Sequence, residues 1–256
     1  MLTDMDLDAY LDRIGVNRPA VADSASLREM HRAHQERVPF ENLSIHLGER
    51  ISLGTDDLFD KIVRRRRGGF CYELNGAFAL LLEGLGYPVT RAGARVYGDE
   101  QRLGPPFDHL ALLVTTADGD GPWLADVGFG RHSTYPLRFG AAGEQDDPGG
   151  TYTFAAAADG DVEVLKDGAP QYRIETRART LSDFAPTCWW QQTSPDSHFT
   201  RTTICSRLDG DGRISIGGRT LIRSGAGGRT ETALDDDAAV LAAYREHFGI
   251  NLDSLP

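Results

Sequence analysis

The sequence predicts an α+β fold: a helical first third, a central antiparallel barrel or curved sheet, and a closing segment of strands and one helix. Apolar residues recur at three- and four-residue spacing as far as Leu85, and they fall in short strand-like runs after Pro88. The 29 Gly and 12 Pro among 256 residues place turns between those runs. A chain of this length buries roughly 70–75% of its unfolded surface, so neither disulfides nor a metal are needed for a core.

The first helix carries Leu7, Tyr10, Leu11 and Ile14 on one face and stops at Gly15. The second is expected to start at Ser26, whose spacing to Glu29 matches a capping box, and to end at the Val38-Pro39 break. A third holds Leu58, Phe59, Ile62 and Val63 ahead of four arginines, Arg64 to Arg67, and Gly68-Gly69. A fourth starts near Cys71 and carries Leu74, Phe78, Leu81, Leu82 and Leu85. Strands follow at 89–97, 109–115, 123–127, 152–156, 162–165 and 172–176. Strands at 202–207 and 213–216 flank an Asp-Gly-Asp-Gly turn, and a last helix spans about 236–248 with Val240, Leu241 and Tyr244 inward.

Composition excludes several classes. A net charge of −11, with 38 acidic residues against 25 Arg and 2 Lys, argues against nucleic-acid binding. No segment approaches 18 apolar residues, and the acidic start MLTDMDLDAY has no signal-peptide pattern, so no membrane partner and a cytoplasmic location are expected. Cys71, Cys188 and Cys205 are too scattered for a disulfide framework, and no paired Cys/His spacing suggests zinc. The turns at 118–121 and 209–212 lack the closing Glu of a calcium loop, so no metal is expected.

The chemistry concentrates at Arg66-Arg-Gly-Gly-Phe-Cys-Tyr-Glu-Leu-Asn-Gly76, where a Gly-Gly pair delivers a cysteine onto the first turn of an apolar helix. Unpaired N–H groups and the helix dipole there favour thiolate, which predicts a lowered pKa for Cys71, although a lone cysteine is by default a small buried hydrophobe. His109 opens an apolar strand and Asp126 closes another, which makes a nucleophile, a base and an orienting carboxylate available. Spacing alone leaves a strand-start His and a turn-forming Asp as the ordinary alternatives.

Taken together, Val38-Pro-Phe-Glu-Asn-Leu43, Arg67-Gly-Gly-Phe-Cys-Tyr-Glu73, the His109 strand, Leu124-Ala-Asp-Val-Gly-Phe-Gly130, Ser194-Pro-Asp-Ser-His-Phe199 and Arg245-Glu-His-Phe-Gly-Ile250 resemble the arylamine N-acetyltransferases over nearly the whole chain. The resemblance implies a helical bundle over 1–86 carrying the nucleophile, a β-barrel over 87–192 carrying His and Asp, and an α/β lid over 193–256. It implies a cysteine-protease-like triad of Cys71, His109 and Asp126. It further implies that Phe40, Tyr72, Val96, Phe129 and Phe199 line an apolar cleft, with Gly128 and Gly130 admitting a pantetheine arm. Singly, each aromatic reads equally well as core. Arg67 is expected in the active-site frame; the arginine run as a whole could meet phosphates but reads more simply as a solvated helix end.

Two departures point to a particular branch. Asp108 precedes the His where the family often has Ser or Thr, and Pro186-Thr-Cys-Trp-Trp-Gln-Gln192, with Trp189 and Trp190, replaces smaller polar residues; the chain also ends soon after Ile250. These look like the ansamycin amide synthases, which release a carrier-bound polyketide by attack of its own aromatic amine. The sequence reading therefore favours macrolactam formation from an acyl-carrier-protein thioester, with acetyl-CoA-dependent transfer to a small aromatic amine as the alternative. A cysteine amidohydrolase and a non-enzymatic binding module are the remoter readings. No permanently bound cofactor is expected, because the acyl thioester is itself a substrate.

Overall fold

The computed structural model describes residues 2–98 and 101–256. Helix α1, Asp4–Ile14, is capped reciprocally by Thr3 and Asp6 and ends at Gly15, whose φ is 70°. Helix α2, Ser24–Arg37, starts two residues earlier than the Ser26 motif suggests. Asp23 is its cap, accepting from the Ser26 N–H at 2.9 Å, so Ser26 lies within the first turn. A two-residue strand β1, Phe40–Glu41, a short helix α3, Leu43–His46, and helix α4, Thr55–Phe59, follow; α4 runs into a π-helical turn, Asp60–Arg64. Helix α5, Cys71–Gly84, is the buried axis of the N-terminal third.

The central sheet has eight antiparallel strands: β2 Val89–Val96, β3 His109–Val114, β4 Trp123–Leu124, β5 Leu137–Arg138, β6 Gln145–Asp147, β7 Gly150–Ala156, β8 Val162–Lys166 and β9 Ala169–Arg179. Their order is β5-β4-β3-β2-β9-β8-β7-β6, and the sheet curls into a near-closed barrel. The Gln145 side chain links its two edges, accepting from the Arg138 N–H and donating to the Arg138 carbonyl. Tyr152, Tyr172, Val164, Leu124 and Ile174 fill its interior. Helix α6, Leu181–Thr193, leads out of β9.

Strands β10 Ile204–Asp209, β11 Gly212–Gly217, β12 Thr220–Gly225 and β13 Gly228–Ala233 join β1 in a second sheet, order β1-β10-β11-β12-β13, and α7, Asp237–Phe248, packs Val240 and Tyr244 against it. Through β1 this sheet is hydrogen-bonded to the segment leading into α5, because the Glu41 N–H donates to the Gly69 carbonyl at 2.9 Å. Among the described residues no helix is long and apolar enough to cross a membrane.

Candidate active site

Three features place Cys71. The chain before α5 runs so close to Pro39 that a Cβ on Gly68 would lie 1.9 Å from the Pro39 carbonyl oxygen, so residue 68 must be glycine. Glu73 turns back to accept from the Phe70 N–H and is held by Lys61 at 2.6 Å, both groups being buried. No side chain of residue 70 caps the helix; the Glu73 N–H bonds the Phe70 carbonyl, so the outward capacity of the first turn rests with the N–H groups of Cys71 and Tyr72. Cys71 is then presented at the first helical position, 4% exposed, its sulfur 3.9 Å from the Asp108 carbonyl oxygen.

His109 enters from the start of β3, where its Nε2 lies 2.7 Å from Asp126 Oδ2. That contact occupies Nε2 and leaves Nδ1 as the ring nitrogen for proton exchange. Strand β4 stops at Leu124, so Asp126 sits in the following loop and not in a strand. Hydrogen bonds from four groups hold it: His109 and the Tyr172 hydroxyl (3.0 Å) on Oδ2, Asn75 Nδ2 (2.8 Å) and the Gly128 N–H (3.1 Å) on Oδ1. Burial opposes ionisation of Asp126, but the charge and hydrogen bond of His109 prevail and hold it well below the usual carboxylate range.

Asn75 joins the three elements. Besides Asp126 it donates to the Leu110 carbonyl at 2.6 Å and accepts from the Val127 N–H at 3.0 Å, tying α5, β3 and the Asp126 loop together. Its signal was present in the sequence, since residue 75 is four positions after Cys71 and so on the same helix face. Tyr172 and His132, stacked behind Asp126 with a Tyr172 Oη–His132 Nε2 distance of 3.2 Å, had no comparable signal. Only the barrel's closure brings them there.

The expected lowering of the Cys71 pKa is corrected. Burial, and then the neighbouring Asp108 carboxylate, push the thiol well above its ordinary range, with the Leu110 N–H working against them. A standing solitary thiolate is therefore disfavoured. Cys188, pushed up to about 12 by burial, and Cys205 are buried outside the cavity.

Cys71 and His109 open onto a cavity of about 850 Å³. Phe40, Val96, Asp108, Gly128, Phe129, Gly130, Trp190 and Phe199 all line it, as expected from sequence. Three residues expected there do not. Arg67 is buried and paired with Glu41 at 2.9 Å, because β1 passes beside it. Tyr72 is fully buried with its hydroxyl donating to the Phe107 and Asp108 carbonyls, so it shapes the His109 approach from behind. Trp189 is 65% exposed, since α6 turns Trp190 inward and its neighbour out. Asp108 is fixed by Gln191 Nε2 at 2.6 Å, and Gln191 in turn accepts from Ser197. Burial raises the Asp108 pKa. Gly128 packs on Cys71 so closely that a Cβ there would meet the Cys71 Cα at 2.9 Å.

A bundle, a near-closed barrel and a second sheet that bring a cysteine and a histidine to one cavity, with a buried aspartate behind the histidine, define the class: a scaffold with a cysteine-protease-like constellation. The N-acetyltransferase family model matches residues 23–255. The chain is 35% identical over 98% of its length to an arylamine N-acetyltransferase of Mycolicibacterium smegmatis, covering 94% of that protein, and 32% identical to that of Escherichia coli over 96% and 89%. A solved M. smegmatis arylamine N-acetyltransferase superposes with a TM-score of 0.89 at 36% identity, over 97% of this chain and 93% of that one. That of Mycobacterium marinum in complex with CoA gives 0.87 at 33%, over 96% and 93%. The chain belongs to the arylamine N-acetyltransferase family.

Proposed function

We propose that this protein is a cysteine-dependent arylamine N-acyltransferase that takes its acyl group from acetyl-CoA, with Cys71, His109 and Asp126 as its triad. The observation that carries the reading is the Cys71–His109 cavity backed by the 2.7 Å His109–Asp126 contact. A relative of the same fold was solved with CoA, and the relatives compared are arylamine N-acetyltransferases, which supports acetyl-CoA over the carrier-bound polyketide favoured from sequence.

The thiol proton passes to His109 Nδ1 as Sγ attacks the thioester carbonyl. The oxyanion is met by the Cys71 backbone N–H at the start of α5. The coenzyme leaves as its thiol, protonated by His109, and the acyl group remains on sulfur. An aromatic amine then attacks, gives its proton to His109, and expels the Cys71 thiolate as the amide forms. Phe40, Phe129 and Phe199 offer flat apolar surfaces to the ring of the amine. Water reaching the acyl-enzyme would make the protein a hydrolase, and the predominantly apolar wall disfavours that outcome.

The amide-synthase reading rests on the two sequence departures, Asp108 and Trp190, both of which line the cavity of about 850 Å³. Competition between acetyl-CoA with aniline and a long aminoaryl thioester on a pantetheine-like arm separates the two. Efficient acetylation with no macrolactam supports the acetyltransferase; macrolactam with no acetylation overturns it in favour of the synthase.

A further inference from the structure

A second cavity, of about 410 Å³, shares no lining residue with the first. Four arginines, Arg13, Arg37, Arg66 and Arg207, face it, with Glu36 as its only acidic lining residue. Glu36 is already engaged by Arg32 at 2.7 Å, outside the cavity. Arg13 forms the floor and is 4% exposed. It donates to three neutral carbonyls, those of Ile62, Arg37 and Arg66, so its buried charge meets no carboxylate among the described residues. Burial, together with the charges of Arg66 and Arg37, lowers its pKa to about 10. Arg37 lies over the end of α1, within 3 Å of where a Gly15 Cβ would stand, and neither Arg37 nor Arg66 has a side-chain ion pair among the described residues. Arg207 is anchored by the His247 carbonyl at 2.7 Å and meets Asp209 at 3.4 Å.

Converging guanidiniums repel one another, and the one lining carboxylate, Glu36, is held by Arg32 from outside the cavity. We propose that this cavity is a binding site for the diphosphate group of a small organic phosphate. Guanidinium forks match phosphoryl oxygens two at a time, and Arg13, Arg37 and Arg66, the three without a carboxylate partner among the described residues, suit a diphosphate better than a single carboxylate. The volume exceeds a bare diphosphate, and Leu208 and Phe248 at the wall provide apolar contact for an attached group. Strand β10 separates the two cavities: Ser206 lines the catalytic one and Arg207 this one.

Titration calorimetry at low salt with inorganic pyrophosphate and with ADP tests the assignment, the pair distinguishing recognition of the diphosphate alone from recognition of a nucleoside attached to it. The protein used is the full chain with Cys71→Ala, which removes the reactive sulfur but not this cavity. The expected result is saturable one-to-one binding, weakened ten-fold or more by Arg37→Gln and by Arg66→Gln, both exposed positions whose replacement leaves Tm unchanged. Tighter binding of ADP assigns the apolar wall to the nucleoside. Absence of saturable binding by both probes, or equal affinity in the Cys71→Ala parent and both arginine variants, overturns the proposal.

Discussion

Replacing Gly128 by alanine puts a methyl group between the Asp126 loop and the nucleophile. The new Cβ would stand 2.9 Å from the Cys71 Cα, 3.0 Å from its carbonyl oxygen and 2.8 Å from Asn75 Nδ2. Two of these are backbone atoms of a helix start and cannot swing aside. Ordinary carbon contacts lie at about 3.5–4.0 Å, so loop and helix must part by roughly 0.5–1 Å. Gly128 is not among the left-handed glycines, so alanine brings no backbone penalty and crowding alone is tested. Overpacking of this kind costs about 1–3 kcal/mol of stability, and a misplacement near 1 Å costs about 100-fold in rate. Single-turnover acylation of Cys71 by acetyl-CoA, followed by intact-protein mass spectrometry, reads the rate, and thermal denaturation reads stability. Acylation within two-fold of wild type at unchanged Tm would refute the close apposition on which the site rests.

Cys71→Ser and Cys71→Ala should both abolish acyl transfer with the circular dichroism spectrum intact, because imidazole is too weak a base to ionise an alcohol outright; residual transfer in the alanine variant would contradict the assignment. Asp126→Asn should slow acylation by orders of magnitude and shift the pH profile of Cys71 alkylation, since the amide lends no charge to the imidazolium; an unchanged profile would uncouple Asp126 from the pair. Asn75→Leu strands Asp126 Oδ1, the Leu110 carbonyl and the Val127 N–H of one donor or acceptor each, and about 2–4 kcal/mol should be lost in urea unfolding; less than 1 kcal/mol would remove Asn75 as the joint. His132 is buried, and that burial lowers its pKa from 6.5 to about 4, with the nearby Asp126 charge working the other way. Its lowered folded value stabilises the protein above pH 6.5, and that contribution, about 3 kcal/mol, is lost as pH falls from 6.5 to 4. Stability curves of wild type and His132→Gln should therefore diverge in slope over that window, and parallel curves would contradict it.

The helical third was legible because its period is clean and its stops are chemical: Gly15, Pro39 and Gly86 each end a helix or the segment after it. The barrel strands were legible from short apolar runs, but β4 ends at Leu124, and past it the backbone N–H groups of Val127 and Gly128 go to the side chains of Asn75 and Asp126 instead of a ladder. Helix α6 escaped sequence reading since Pro186 sits inside it and its buried face is Phe184, Cys188 and Gln191, only partly apolar. Strands β12 and β13 escaped for a related reason: β13 is exposed throughout, so no apolar alternation marks it. In the site, Cys71, His109 and Asp126 stood out by residue type and motif. Arg67 and Tyr72 were misplaced because proximity in sequence to Cys71 says nothing about which side of the chain faces the cavity.

Peptide mapping after brief incubation with acetyl-CoA tests the central assignment most directly. The assignment predicts one acetyl group on the peptide containing Cys71, discharged as the amide when an aromatic amine is added. An adduct on Cys188 or Cys205, or amide formation with no adduct on any cysteine, would contradict it.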